Sequence, residues 1–317
     1  MNFSSFKLYH LALLFLAMAT FSSCGGDDEP EMELSIVETA QSDNDLSTLV
    51  AALTQANLVT TLSGDGPFTV FAPSNAAFQA LLDSNDDWNA LTDIPNDLLT
   101  DVLTFHVVSG RVAAADLNTG YEPTLSGGPN GEGVSLQVGT TGGVTLNNVA
   151  TPLTTDINTT NGIVHKIDQV MLPPNVVGLA LSNPNFSILV EALTDSRHSA
   201  DFVSTLSGDG PFTVFAPTNE AFQALLDSND DWNSLEDIDI DLLATVLSYH
   251  VVNGANVQSG QLTDGQEIAA FNGGTLTIDT DGGAKVESSS GQSVPVIVAD
   301  VQGTNGVIHG ISSVLLP

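Results

Sequence analysis

One fifty-residue stretch occurs twice in this chain, and that repeat limits what the chain can fold into. Residues 61–110 return at 205–254 with an offset of 144, no gap, and 39 of 50 positions identical. A second echo keeps the offset: NGIVHKIDQVMLP at 161–173 becomes NGVIHGISSVLLP at 305–317. Solenoid units run about 20–50 residues, so a period this long is a whole domain. The chain therefore reads as two modules, 35–173 and 175–317, joined at Pro173-Pro174. Residues 35–53 align with 175–193 at an offset of 140, which places a four-residue insertion near Ser196–Ala200 of the second copy. The short joint predicts a fairly fixed pair. Two copies of a weak binding surface gain effective concentration, which a second active site would not.

The leader is read apart from the fold. Lys7 precedes an apolar run, Leu11–Phe21, that is too short to span a bilayer and suits the core of a signal peptide covering residues 1–23. Phe21-Ser22-Ser23-Cys24 resembles a bacterial lipobox, which implies a lipid on Cys24, the only cysteine. The segment 24–34 is an acidic tether. Its Asp27-Asp28-Glu29 resembles the export signal that sends Bacteroidetes lipoproteins to the outer face of the outer membrane. The implied location is an exported protein, lipid-anchored to the outer membrane and exposed at the cell surface, touching membrane through the anchor alone. With one cysteine no intrachain disulfide is expected, and stability must come from two cores of about 140 residues each.

Charge excludes one class of partner. Five basic residues against 38 acidic ones give a formal net charge of −33, which repels phosphate backbones and argues against nucleic acid. The same balance suits a solvated surface in salty surroundings.

Within a module the periodicity mixes. Leu46, Leu49, Val50 and Leu53 have helical spacing, as do Leu98, Leu99, Val102 and Leu103. Phe68–Ala72 reads as a buried strand stopped by Pro73, with Ser74 or Asn75 (Thr218 or Asn219 in the second copy) capping the next helix. Alternation at 134–138 and 144–146 around Gly142-Gly143 predicts a hairpin, and 275–278 with 285–286 repeats it. Final strands are expected at Ile163–Leu172 and Val307–Leu316. Helices early and strands late give an α+β class.

These segments carry a family resemblance. FTVFAPSNAAF at 68–78 and FTVFAPTNEAF at 212–222 resemble the first hallmark of fasciclin domains, and Asn161–Pro173 and Asn305–Pro317 resemble the second. Val102–His106 and Val246–His250 occupy the place of the family's tyrosine-histidine motif, with Phe105 replacing the tyrosine that Tyr249 keeps. The resemblance covers nearly all of 35–317. It implies two tandem domains, each a β-wedge flanked by helices, working in adhesion to a surface protein, matrix component or polysaccharide, with weak homophilic contact also open. In animal members an Asp-Ile pair before the second hallmark is linked to integrin binding; here Asp156-Ile157 and Asp300-Val301 hold those positions. The resemblance thus proposes a contact face from Tyr249, His250, Asp300 and Val301, with Phe105, His106, Asp156 and Ile157 as the counterparts. The second module is expected to lead, with Asp300 exposed and His250 structural.

Other chemistry finds little support. A zinc site needs three or four N or S ligands, and each module repeats only two histidines, His106 with His165 and His250 with His309. They read as buried side chains bonded to backbone. The loops 83–89 and 227–233, both DSNDDWN, alternate oxygen ligands like a calcium loop, but position 6 is Trp and position 12 is Ile94 in the first copy. They read as surface loops with the Trp folded back on the core. There is no Gly-x-Ser-x-Gly elbow, and the glycine-rich 126–133 carries no Lys, so neither nucleophilic catalysis nor phosphate binding is expected. The reading is a non-catalytic adhesion protein without cofactor or metal. The alternative is a module for a soluble glycan or small ligand, accessory to uptake, which a deep apolar pocket would favour.

Overall fold

The computed structural model describes residues 33–317. The expected signal segment, Cys24 and the tether up to Met32 lie outside the described residues. The first module opens with α1 (Ile36–Ser42), α2 (Ser47–Gln55) and α3 (Val59–Leu62), then strand β1 (Phe68–Pro73), α4 (Asn75–Asp83) and α5 (Asn96–Phe105). Six strands follow: β2 (Val107–Ser109), β3 (Gly120–Gly127), β4 (Gly133–Gly139), β5 (Thr145–Leu146), β6 (Pro152–Thr159) and β7 (Gly162–Ile167). The second module repeats the order with α6 (Val176–Ser182), α7 (Ser187–Leu193), α8 (Phe202–Leu206), β8 (Phe212–Pro217), α9 (Asn219–Asp227) and α10 (Ile240–Tyr249). Its later strands are β9 (Val251–Asn253), β10 (Glu267–Ala269), β11 (Thr275–Asp279), β12 (Lys285–Ser288), β13 (Ser293–Gly303) and β14 (Gly306–Ile311).

The hallmark residues have local reasons. Ser74 caps α4 by accepting from the Ala77 N–H at 3.2 Å, and Thr218 caps α9 through Ala221 at 3.3 Å. Asn75 and Asn219 do something else. Their carbonyls accept from the N–H groups of Thr48 (2.8 Å) and Ile188 (3.0 Å), which ties α4 to α2 and α9 to α7. Asn161 is a buried joint: Oδ1 accepts from Ile36 N–H at the start of α1, while Nδ2 donates to the carbonyls of Leu62 and Gly64. Asn305 makes the same three bonds to Val176, Leu206 and Gly208. The glycine that follows each has no alternative, because a Cβ on Gly162 or Gly306 would strike the carbonyl of Phe68 or Phe212 on the adjacent strand.

At the centre of each module two strands run parallel, β1 beside β7 and β8 beside β14, with Phe68 opposite Gly162 and Phe212 opposite Gly306. The closing strands are shorter than expected. They end at Ile167 and Ile311, after which Val170, Met171, Val314 and Leu315 turn into the cores. One core per module lies between helices and sheet, around Phe78 and Phe222; a second lies inside the strand wedge, around Phe105 and Tyr249.

The wedges close at opposite corners. The first module orders its strands β5-β4-β3-β2-β1-β7-β6 and the second β10-β11-β12-β13-β14-β8-β9. In the first, the eight-residue β3 reaches across to β2, with Thr124 opposite Val108. Its counterpart β10 has only three residues. There the eleven-residue β13 joins the halves, pairing with β12 at its start and with β14 along the rest.

The long β3–β4 hairpin of the first module rests on the second. Tyr121 packs against the second module's helical core, and its hydroxyl accepts from Asn183 Nδ2 at 2.7 Å. Burial raises that phenol's pKa. Ser135 Oγ accepts from the Gln302 N–H at 2.9 Å, and Asn130 Nδ2 donates to the Asn256 carbonyl at 3.1 Å. Gly128 passes so close to Gly303 that a Cβ would lie 2.8 Å from its carbonyl. The receiving side chains Asn183, Asn256 and Gln302 are neutral amides, all buried. At the aligned positions the first module has Asp43, Val112 and Asn158. Here Asp43 pairs with Lys166 at 2.9 Å, and Arg111 donates to Asn158 Oδ1 at 2.7 Å and to the Thr159 carbonyl at 2.6 Å.

Candidate functional site

Phe105, His106, Tyr249, His250 and Val301 are all buried. The Tyr249 hydroxyl donates to the Thr275 carbonyl at 2.6 Å and accepts from the Ser289 N–H at 2.9 Å. It ties α10 to the strands of the wedge and presents nothing to solvent. The expectation that this oxygen marks the second module as the binder is therefore corrected: a hydroxyl at the end of a core helix finds its partners inside.

Two kinds of histidine organise each module. His106 Nδ1–H donates to the Val102 carbonyl at 2.7 Å and Nε2 accepts from Met171 N–H at 3.0 Å. His250 makes the matching bonds to Val246 at 2.7 Å and Leu315 at 2.9 Å. Because a backbone N–H points at Nε2, only the neutral ring fits, and burial lowers both pKa values to about 4. The second pair has the opposite tautomer. His165 Nε2–H donates to Val112 O and Nδ1 accepts from the Asp156 N–H; His309 does the same with Val257 O and Asp300 N–H. Burial also lowers the His309 pKa. All four rings are bound to main chain, and none keeps a free nitrogen for acid–base work. Among the described residues, no group of three or more His, Cys, Asp or Glu converges as a metal site.

Asp156 and Asp300 sit at equivalent bulges, each in the left-handed region with φ of 61° and 60°. Such a backbone favours Asp or Asn over other non-glycine residues. The resemblance ends at the side chains. Asp300 is half-buried; Oδ1 accepts from the Ser259 N–H at 2.6 Å and Oδ2 from the Ser259 hydroxyl. It is a clasp on the 255–259 loop, so the expectation of an exposed and dispensable Asp300 is also corrected. Asp156 is exposed. Its Oδ1 accepts from Ala114 N–H at 2.8 Å, and its other oxygen has no protein partner among the described residues. Ile157 is half-buried against the first module's core.

The surroundings widen this difference. β6 is an edge strand, paired only with β7, and shows Leu153, Thr154, Thr155, Asp156 and Asn158 to solvent. Leu153 is 56% exposed. In the second module the far end of the matching strand is covered at Gln302 by Ser135 of the first. Sequence reasoning proposed Asp156 as a contact residue and did not foresee that it lies on an edge strand running Pro152–Thr159.

Concave features are shallow or closed. The enclosed voids beneath the helices, one lined by Phe71 and His106 and one by Phe212 and Phe271, hold about 10 Å³ each, room for a single water at most. The larger spaces are open grooves on the second module.

Comparison with known proteins follows the same outline. The family model for the fasciclin domain matches twice, at residues 44–173 and 184–317. The Synechocystis protein sll1483 is 43% identical over 141 residues, which covers 44% of this chain and 74% of that protein. The transforming growth factor-beta-induced protein ig-h3 of Sus scrofa is 30% identical over 261 residues, 81% of this chain but only 35% of that longer protein. A solved domain pair from the insect cell adhesion molecule fasciclin I aligns over 84% of this chain and 92% of its own, with 21% identity and a TM-score of 0.47.

Proposed function

Because this chain belongs to the fasciclin-domain family, we propose that it is a non-catalytic adhesion protein of the cell surface, holding a matrix protein, a polysaccharide or another surface protein. The supporting observation is the distribution of polar groups. Every duplicated histidine is consumed in main-chain bonds, the enclosed voids are too small for a substrate, and one long edge remains free on β6. An extended edge with an exposed carboxylate suits a macromolecular partner better than a small soluble ligand. The contact is assigned to Asp156, with Leu153 and Asn158 beside it, on the first module.

Anchoring belongs to the same proposal. Export, acylation of Cys24 and display through the acidic tether would hold the pair at the outer surface, and its charge would keep the domain faces off anionic lipid. Mass spectrometry of the native N-terminus should find a lipid-bearing Cys24; an unacylated end downstream of it would contradict the anchor. For adhesion, beads coated with the chain should bind surfaces of matrix protein, polysaccharide or whole cells. The double variant Asp156→Asn with Leu153→Ser should bind less at an unchanged melting temperature. Asn keeps both the left-handed backbone and the bond to Ala114, so a fall in adhesion would report contact and not folding. Wild-type beads that bind no surface would overturn the proposal.

A further inference from the structure

The DSNDDWN loop, set aside as a calcium site, borders the largest open groove described on the second module. The groove measures about 760 Å³ and is lined by Asp230, Asp231, Trp232, Leu225, Leu242 and Leu316. That size lies within the range of small-ligand sites. The loop backbone is already fixed. Asn229 Oδ1 accepts from Asp231 N–H at 3.0 Å, its carbonyl accepts from Trp232 N–H at 2.9 Å, and Asp237 holds the N–H groups of Asn233 and Ser234. The functional groups are left over. Asp230 and Asp231 are exposed, and among the described residues neither carboxylate has a hydrogen bond or ion pair, nor does the indole N–H of Trp232. Trp232 is half-buried, one part packed on the helical core and the rest toward the groove, while Leu242 is 42% exposed.

We propose that this groove binds neutral pyranose chains, and that the matching loop around Trp88 offers the same groups to a weaker contact. The chemistry of the donors and acceptors selects the ligand. Ionised carboxylates only accept hydrogen bonds and an indole N–H only donates. A ligand satisfying both at neighbouring positions must donate and accept, as a sugar hydroxyl does. An ammonium or guanidinium group would satisfy the acids and leave the indole unmet. The apolar part of the groove, Trp232 with three leucines, matches the C–H face of a pyranose ring and extends the contact that a fixed aromatic makes at little entropic cost. The net charge of −33, with two carboxylates in the groove itself, weighs against uronate or sulfated chains at the same site. The first module repeats the parts: Asp86 and Asp87 are exposed, Trp88 is half-buried against its core, and Leu172 is 51% exposed. This site shares no residue with the β6 edge; it rests on the polysaccharide part of the adhesion reading and places a second contact for it on a separate surface.

The chain contains two tryptophans, Trp88 and Trp232, one in each DSNDDWN loop, so tryptophan emission excited apart from the three tyrosines reports on both loops. Full-length chain is titrated with laminarihexaose, cellohexaose, xylohexaose and mannohexaose, and separately with hexameric alginate and hexalysine. A saturable emission change with at least one neutral hexaose, and none with alginate, is expected. Asp230→Ala with Asp231→Ala should weaken the second site at least tenfold, and adding Asp86→Ala with Asp87→Ala should abolish the response. These side chains make no internal bond, so unchanged circular dichroism should accompany the loss. No response to any of the four neutral hexaoses overturns the proposal, as does an unchanged response in the fourfold variant, or hexalysine saturating at lower concentration than every hexaose. Bead adhesion by the same variant separates the two readings: adhesion retained while sugar binding is lost leaves the β6 contact standing, whereas wild-type chain that binds sugar but no surface sinks the adhesion reading alone.

Discussion

The two modules share most of their repeated segment and use most of it alike, yet they differ where each meets its surroundings. Each has the buried Asn joint, the neutral histidine under its last strand and the Asp–His clasp at the bulge. What differs is which strand is long. The first module spends length on β3, whose hairpin reaches the second module; the second spends it on β13, which receives that hairpin. The receiving face has buried amides, while the same face of the first module has the half-buried Asp43–Lys166 ion pair and an exposed Arg111. A buried amide can be satisfied by a neighbour's backbone, whereas an unpaired buried charge is costly. Duplication thus produced one surface adapted to a partner within the chain and one that stays open.

The largest effect expected of the shared parts is a pH effect. His106 and His250 must be neutral when folded, with pKa values near 4, and return to about 6.5 when unfolded. The unfolded chain therefore binds more protons between those values. Stability should be full above pH 6.5 and fall as pH drops toward 4, by up to about 3 kcal/mol for each histidine. Denaturant melts at pH 7.5 and 4.5 measure this. His106→Asn with His250→Asn should flatten the slope while lowering stability at neutral pH. A slope unchanged by the double variant would contradict the assigned rings.

Next come Asn161→Ala and Asn305→Ala. Each frees a helix N-terminus and two carbonyls, and each should cost about 3 kcal/mol in chemical denaturation. Similar losses would confirm that the joint works alike in the two modules, and a loss in one alone would break the comparison. Smaller, and deliberately unequal, are Gln302→Ala and Asn158→Ala. The first should cost about 1–2 kcal/mol and raise hydrogen exchange across β4 and β13, because its side chain bonds to Asn256, Gly303 and Gly306 at the interface. The second should stay within about 0.5 kcal/mol. Equal effects would mean that the interface is not what distinguishes them. Tyr249→Phe should cost about 1–2 kcal/mol by orphaning Thr275 and Ser289, with no effect on adhesion.

Much of this was legible in the sequence. The repeat gave the two domains, Pro73 ended β1, and Gly142-Gly143 marked the β4–β5 turn because those residues act through local backbone geometry. Motif positions were legible too, but not the direction in which their side chains point. Tyr249 and Val301 turn inward because helix and strand phases are set by cores assembled from distant segments. Asp300 and Asp156 share a bulge and a φ, so no local signal separates them; Ser259, whose hydroxyl and N–H occupy Asp300, lies 41 residues away. The interface was hidden for a related reason. The segment between Gly110 and Asn161 is as long as its counterpart between Gly254 and Asn305, and Tyr121 has no mark that assigns it to the other module's core.

The asymmetry of the two Asp sites is the central claim, and adhesion tests it most directly. Beads coated with wild type, with Asp156→Asn plus Leu153→Ser, or with Asp300→Asn are compared on one surface that wild type binds, with melting curves alongside. The account predicts that the first-module variant loses most of its adhesion while melting like wild type, and that Asp300→Asn adheres as wild type does. Full adhesion by the Asp156 variant, or a loss confined to Asp300→Asn with its fold intact, would contradict it.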